Sequence, residues 1–201
     1  VVEITGLPSG FLAKYVTVYK DRLVFLWTVE GGQNQPQRER RSGVADLTDW
    51  TAGFHDFMDE PSEITGHARY AGFLVVFKED CAYAGRWVGG TYIFDYEKST
   101  TAEGCKARFS IIVRPEGIYY YARDNKIHLC NLVNQPRILS EGIYSETREF
   151  DPNIDKHIFA YEVVSKNQIR WFCPYQSSSY NDYVIVWDYL QKILEVWEYE
   201  Q

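Results

Sequence analysis

Ile64-Thr65-Gly66-His67-Ala68-Arg69-Tyr70-Ala71-Gly72-Phe73-Leu74-Val75-Val76-Phe77 decides the fold of this chain. It holds two β-rich segments joined by a short Ala-Gly turn, the composition of a hairpin. Its second half, Phe73 to Phe77, is an unbroken apolar run, and comparable runs recur at Leu23–Trp27, Ile118–Tyr121 and Ile169–Phe172. Their first residues lie 50, 45 and 51 positions apart. A period of about 40–50 residues with about four strands in each repeat is the pattern of a β-propeller blade.

The rest of each repeat follows from that register. A first strand precedes each run: Tyr15–Tyr19, Ile64–Tyr70, Phe109–Arg114 and His157–Val164. Third strands are expected at Arg40–Ala45, Asp80–Val88, Lys126–Val133 and Tyr183–Tyr189. Fourth strands are expected at Thr91–Glu97, Pro136–Ser140 and Ile193–Tyr199, and the first repeat has only the polar, glycine-containing stretch Asp49–Phe57 to supply one. The expectation is an all-β chain, propeller-like, of about four blades with four antiparallel strands each. It is read as a single domain over 1–201, with repeats at 11–57, 62–99, 105–140 and 156–201. No segment of 12 or more residues keeps an uninterrupted helical apolar spacing, and the 16 Tyr suit half-buried pleated surfaces.

Composition narrows the function. At 201 residues and 45% hydrophobic the chain can bury a core. A net charge of −7 argues against a general nucleic-acid binder, which carries a basic excess. There is no run of 18 apolar residues, so no transmembrane helix and no membrane partner are expected. The chain opens at Val1-Val2-Glu3-Ile4 without an initiating Met or a leader-like segment, and is expected to be a piece of a longer protein.

Chemistry-bearing motifs are sparse. Cys81, Cys105, Cys130 and Cys173 are separated by 24, 25 and 43 residues, with no CxxC pair and no suitably spaced His. They read as reduced, buried small hydrophobes rather than a zinc site, and no cofactor is expected. Trp187-Asp188 and Gly66-His67 each occur once, which does not make a WD40 array. Val88-Gly89-Gly90 opens no helix and reads as a hairpin turn, not a phosphate loop. Carboxylates at the starts of innermost strands, such as Glu63 and Asp155, are the positions a propeller glycosidase would use as an acid–base pair. Solvation of the surface accounts for most of the 28 acids.

Two polar stretches read as loops, Glu30–Arg41 and Glu141–Asp155. The first holds Arg38, Arg40 and Arg41, which can pair bidentately with carboxylate or phosphate. These three arginines are the candidate partner-binding residues, and an exposed loop without a partner is the competing reading.

The chain resembles tailed-bacteriophage virion proteins of propeller fold along nearly its whole length. The similarity rests on Arg41-Ser42-Gly43-Val44-Ala45-Asp46-Leu47-Thr48-Asp49-Trp50, on Ile64-Thr65-Gly66 with Gly72–Glu79, on Gly104-Cys105 with Ser110–Val113 and Glu116–Tyr119, and on Val184–Tyr189 with Trp197. The resemblance implies a non-enzymatic structural protein of the tail or neck, localised in the virion and assembled in the host cytoplasm. Its implied partners are other virion proteins and further copies in a ring, with DNA passing nearby but not bound specifically. An acidic balance would then suit a channel wall, because like charge keeps DNA from adhering. Four blades close poorly into a ring, so other residues or a neighbouring region are expected to complete it. The alternative is a carbohydrate-binding or glycosidase propeller acting on host-surface glycans. A cellular protein-interaction propeller is a third reading.

Overall fold

A computed structural model describes residues 4–90, 93–143, 157–174, 178 and 180–198. Among them are sixteen strands in four antiparallel sheets of four, and no α-helix. Blade 1 holds β1 (Leu12–Tyr19), β2 (Arg22–Glu30), β3 (Gln33–Arg41) and β4 (Phe54–Asp56). Blade 2 holds β5 (Ile64–Tyr70), β6 (Phe73–Lys78), β7 (Cys81–Trp87) and β8 (Phe94–Glu103). Blade 3 holds β9 (Ile112–Arg114), β10 (Gly117–Tyr121), β11 (Ile127–Cys130) and β12 (Arg137–Ile138). Blade 4 holds β13 (Phe159–Val163), β14 (Gln168–Cys173), β15 (Tyr183–Asp188) and β16 (Ile193–Glu198). Strand order within every sheet is sequential. First strands of successive blades touch, β1 with β5, β5 with β9 and β9 with β13, which places them along the inside of an arc. The fold is propeller-like and the arc is open.

Tight turns fix the hairpin registers. Ala71 and Gly72 at the β5–β6 turn have φ of 50° and 85°, and Gly31 and Gly32 at the β2–β3 turn have 58° and 78°. Two successive residues at positive φ match the right-handed twist of the flanking strands. The Gly31-Gly32 turn also corrects the loop expected at Glu30–Arg41. The chain reverses at the two glycines and runs back as β3, so the third strand is Gln33–Arg41 rather than Arg40–Ala45. Its polar side chains are accommodated because they pair with one another across the sheet. The fourth strand of blade 1 does form, as the three residues of β4 paired with β3. The loop read at Glu141–Asp155 begins with a short 3₁₀ turn at Glu141–Ile143, and its remainder lies outside the described residues, as do Thr91 and Tyr92.

Alternation along the second strands builds the three inter-blade layers. Leu74 and Val76 of β6 pack with Val24 and Leu26 of β2, and Tyr83, Phe94 and Phe57 fill the same layer. Val75 and Phe77, on the other face of β6, pack with Ile118 and Tyr120 of β10. Tyr119 and Tyr121 in turn pack with Ile169, Trp171, Ile185 and Trp187. Second strands of the middle blades are buried on both faces, which is why their sequences are continuous apolar runs. Each such side chain contributes roughly 1.5–3 kcal/mol by leaving water.

Polar pins cross these layers. The Trp171 indole donates to the Ser110 carbonyl at 3.0 Å, tying blade 4 to blade 3. Lys78 is fully buried, and its ammonium donates to the carbonyls of Phe57, at 2.8 Å, and Glu60, anchoring the segment between blades 1 and 2. Burial lowers the Lys78 pKa. All four cysteines are free and buried.

Candidate functional site: the axial mouth of the arc

Arg38, Arg40 and Arg41 lie on β3, where alternation sends them to opposite faces. Arg38 grips Asp56 with two bonds of 2.8 and 2.7 Å and reaches Glu30 at 3.1 Å. Arg40 grips the same Glu30 with bonds of 2.8 and 2.7 Å. Burial would raise the Glu30 pKa, but hydrogen bonds from Arg40 and Thr28 outweigh it and hold the carboxyl below its usual range. The Arg38 guanidinium also lies 3.8 Å over the Phe54 ring. Arg41 turns to the other face, where its guanidinium meets the fully buried Glu39 at 2.6 Å. Burial pushes Glu39 up to about 7, against the opposing pull of Arg41 and Tyr96. The three arginines therefore spend their bidentate capacity inside blade 1 and present no open guanidinium cluster.

The structure brings other residues together. Where the first strands of blades 1, 2 and 3 begin, Lys14, Tyr15, Glu63, Thr65, Lys106 and Arg108 line a cavity of about 250 Å³. Lys14 reaches Glu63 at 3.2 Å and lies 3.8 Å over the Trp27 ring. The Trp27 indole donates to Glu63 at 2.7 Å. Trp27 sits at the β2 bulge between Leu26 and Thr28 with φ of 55°. A bulge re-aims a side chain, and here it turns the indole toward the axis. Lys106 donates to Asn125 at 3.2 Å. Arg108 rests 4.2 Å from the Phe109 ring, and its charge partly offsets the effect of burial on Tyr15; it has no carboxylate partner among the described residues. Burial pushes Tyr15 up to about 12, so the phenol stays protonated at neutral pH.

Glu63 is thus where the acid–base reading placed it, but it is paired with Lys14 and is the lone carboxylate among the described residues that line the cavity. Asp155 lies outside the described residues. Retaining and inverting glycosidases both need a second carboxyl group within roughly 5–10 Å, and the described lining residues supply none besides Glu63. Among the described residues no group of three His, Cys, Asp or Glu side chains could hold a metal ion.

Charge is sorted radially. The first strands carry Lys14, Arg69 and Arg114 against Glu162. The fourth strands carry Asp56, Asp95, Glu97, Glu103, Glu195 and Glu198 against Lys98 and Arg137. The acidic excess sits on the outer strands, where solvent screens it, and the inner strands carry a basic excess. Lys14, Lys106 and Arg108 went unnoticed in the sequence because they are isolated there. Their shared signal is blade position, since each stands at or just before a first strand.

No protein-family model and no curated protein matches the sequence. Among solved structures the chain is similar to a protein described as exported, from Bacteroides fragilis NCTC 9343, at 9% identity and a TM-score of 0.49. That match covers 98% of this chain and 62% of the other. It is also similar to apo AztD from Citrobacter koseri, at 10% identity and a TM-score of 0.41, covering 92% and 59%. The chain spans about three fifths of the length of both.

Proposed function

We propose that this chain is a non-enzymatic β-propeller module of a tailed-bacteriophage tail or neck, docking to other virion proteins around the DNA channel. The virion assignment comes from the sequence resemblance. The observation that carries the docking role is the outer face of blade 1. There Leu12, Val16 and Val18 of β1 are 66%, 55% and 53% exposed, on the same sheet face as Phe25. Phe25 itself is covered by Phe11 and Trp50, while the strand nearest the axis is left bare. An exposed apolar ladder of this kind marks a contact surface. It has the chemistry of the three internal inter-blade layers, so the partner proposed for it is another virion protein presenting a β-sheet face.

Two measurements test this reading. Mass spectrometry of purified particles should find the chain at fixed stoichiometry, and cryo-EM should place it in the tail or neck with Leu12, Val16 and Val18 covered. Absence from the particle, or a bare β1 face within it, would overturn the proposal. Specific retention on a host-glycan array by an isolated monomer would favour the carbohydrate alternative instead.

A further inference from the structure

We propose that the arc is continued by a second copy of this chain, whose blade 1 docks on the outer face of blade 4. This names the partner of the β1 face; it rests on the docking role read for that face and not on the virion assignment. The inner strands already form a series, β1 against β5, β5 against β9 and β9 against β13. At each step the far face of one blade packs on the near face of the next. Ala160 of β13 also donates its backbone N–H to the Phe109 carbonyl at 2.8 Å, so main chain holds the last step. The series ends at β1 on one side and β13 on the other, and a second β1 laid on β13 repeats the same step.

The two end faces suit each other. Alternation sends Ala160, Ile169 and Trp171 toward blade 3, and Phe159, Tyr161 and Phe172 to the opposite face. There Phe159 and Tyr161 are 40% and 42% exposed, and both stack on Phe172 with ring centroids 4.8 and 5.5 Å apart. The result is an aromatic strip along the strand nearest the axis, the place that Leu12, Val16 and Val18 occupy on blade 1. Rings against branched aliphatic side chains is the pairing used inside the molecule, where Tyr120 packs with Val75 and Tyr119 with Ile169. Three neighbouring charges are drawn elsewhere: Lys14 to Glu63, Glu162 to Arg114, and Arg170 over the Trp197 ring at 4.8 Å. Docking therefore buries apolar surface without stranding any of them. Because the two faces differ, the contact is heterologous, and the angle between copies decides between a closed ring and a filament.

The test uses the whole chain, with mass read by sedimentation velocity over a range of concentrations. Wild type is expected to self-associate. Val16→Asp on one end face and Phe159→Asp on the other should each weaken association about tenfold or more, since each places an unpaired charge in the contact. Val133→Asp, at an exposed position between β11 and β12, should leave it unchanged. Thermal melts separate loss of the contact from loss of the fold, and Val18→Asp or Tyr161→Asp replaces a variant that fails to fold. The deciding measurement is a mixture. Val16→Asp keeps a sound blade 4 face and Phe159→Asp a sound blade 1 face, so together they should form a one-to-one complex where each alone is monomeric. A monomeric wild type, a folded variant of either end face that associates like wild type, or no complex in the mixture would overturn the inference. Loss confined to Val16→Asp would overturn it too, by pointing to contact between two β1 faces. If the wild type is monomeric while particles show the β1 face covered by a different protein, the docking role stands and this inference falls.

Discussion

Glu39 shows how burial decides the state of a single group. Its carboxyl has no exposed surface, and desolvation raises its pKa from 4.5 to about 7 despite Arg41 at 2.6 Å. A folded-state pKa above the unfolded value means that the native chain holds the proton more tightly. That stability is fully present below pH 4.5 and is lost as pH rises through about 7. The gap corresponds to on the order of 3 kcal/mol. Melting temperature should therefore decline between pH 5 and 7.5, and Glu39→Gln should flatten that decline. An unchanged slope in the variant would show that the carboxyl does not titrate there. Glu39 is invisible as such in the sequence: it stands amid polar residues, and only the alternation of β3 turns it inward while Arg38 and Arg40 go outward.

At the scale of elements, the crossing from blade 2 to blade 3 passes through the most closely approached of the glycines. Gly104 follows β8, and a Cβ there would lie 1.9 Å from the Glu79 carbonyl oxygen, an atom that cannot swing aside. Its neighbour Cys105 donates its backbone N–H to the Lys78 carbonyl at 3.0 Å, and Arg123 donates to the Gly104 carbonyl at 3.1 Å. Gly104→Ala should cost about 1–3 kcal/mol or more through overpacking. Gly142→Ala, where nothing lies within 4 Å, should be near neutral in the same thermal melts. Equal effects would remove the steric account. The strands themselves were largely legible: the runs at Leu23, Phe73, Ile118 and Ile169 all became second strands. The exception is β3, because a polar strand carries no apolar signal, and its hairpin was signalled only by Gly31-Gly32.

Across the molecule, the four thiols report on the three inter-blade layers separately. Cys81 sits between blades 1 and 2, Cys105 and Cys130 between blades 2 and 3, and Cys173 between blades 3 and 4. Burial raises the pKa of Cys81, Cys105 and Cys130, Cys105 to about 12. Native protein should therefore resist a thiol reagent, and reductant should leave the melting temperature unchanged. In rising denaturant all four should become reactive in one transition, because each middle blade is buried on both faces. Stepwise exposure would show that the blades unfold separately, as in solenoid arrays. By itself the sequence determined the all-β class, the four repeats and the position of each second strand, because a run buried on both faces must be apolar throughout. It also marked the end of that rule, since β14 alternates Gln168, Arg170 and Phe172 outward with Ile169, Trp171 and Cys173 inward. Tertiary structure alone decided where charge goes. Pairing of Arg38 and Arg40 with Glu30 depends on strand register, and the meeting of Lys14 with Lys106 and Arg108 depends on blades 1 and 3 converging. Neither the opposite strand nor the next blade is a neighbour in sequence, so no local pattern encodes those contacts.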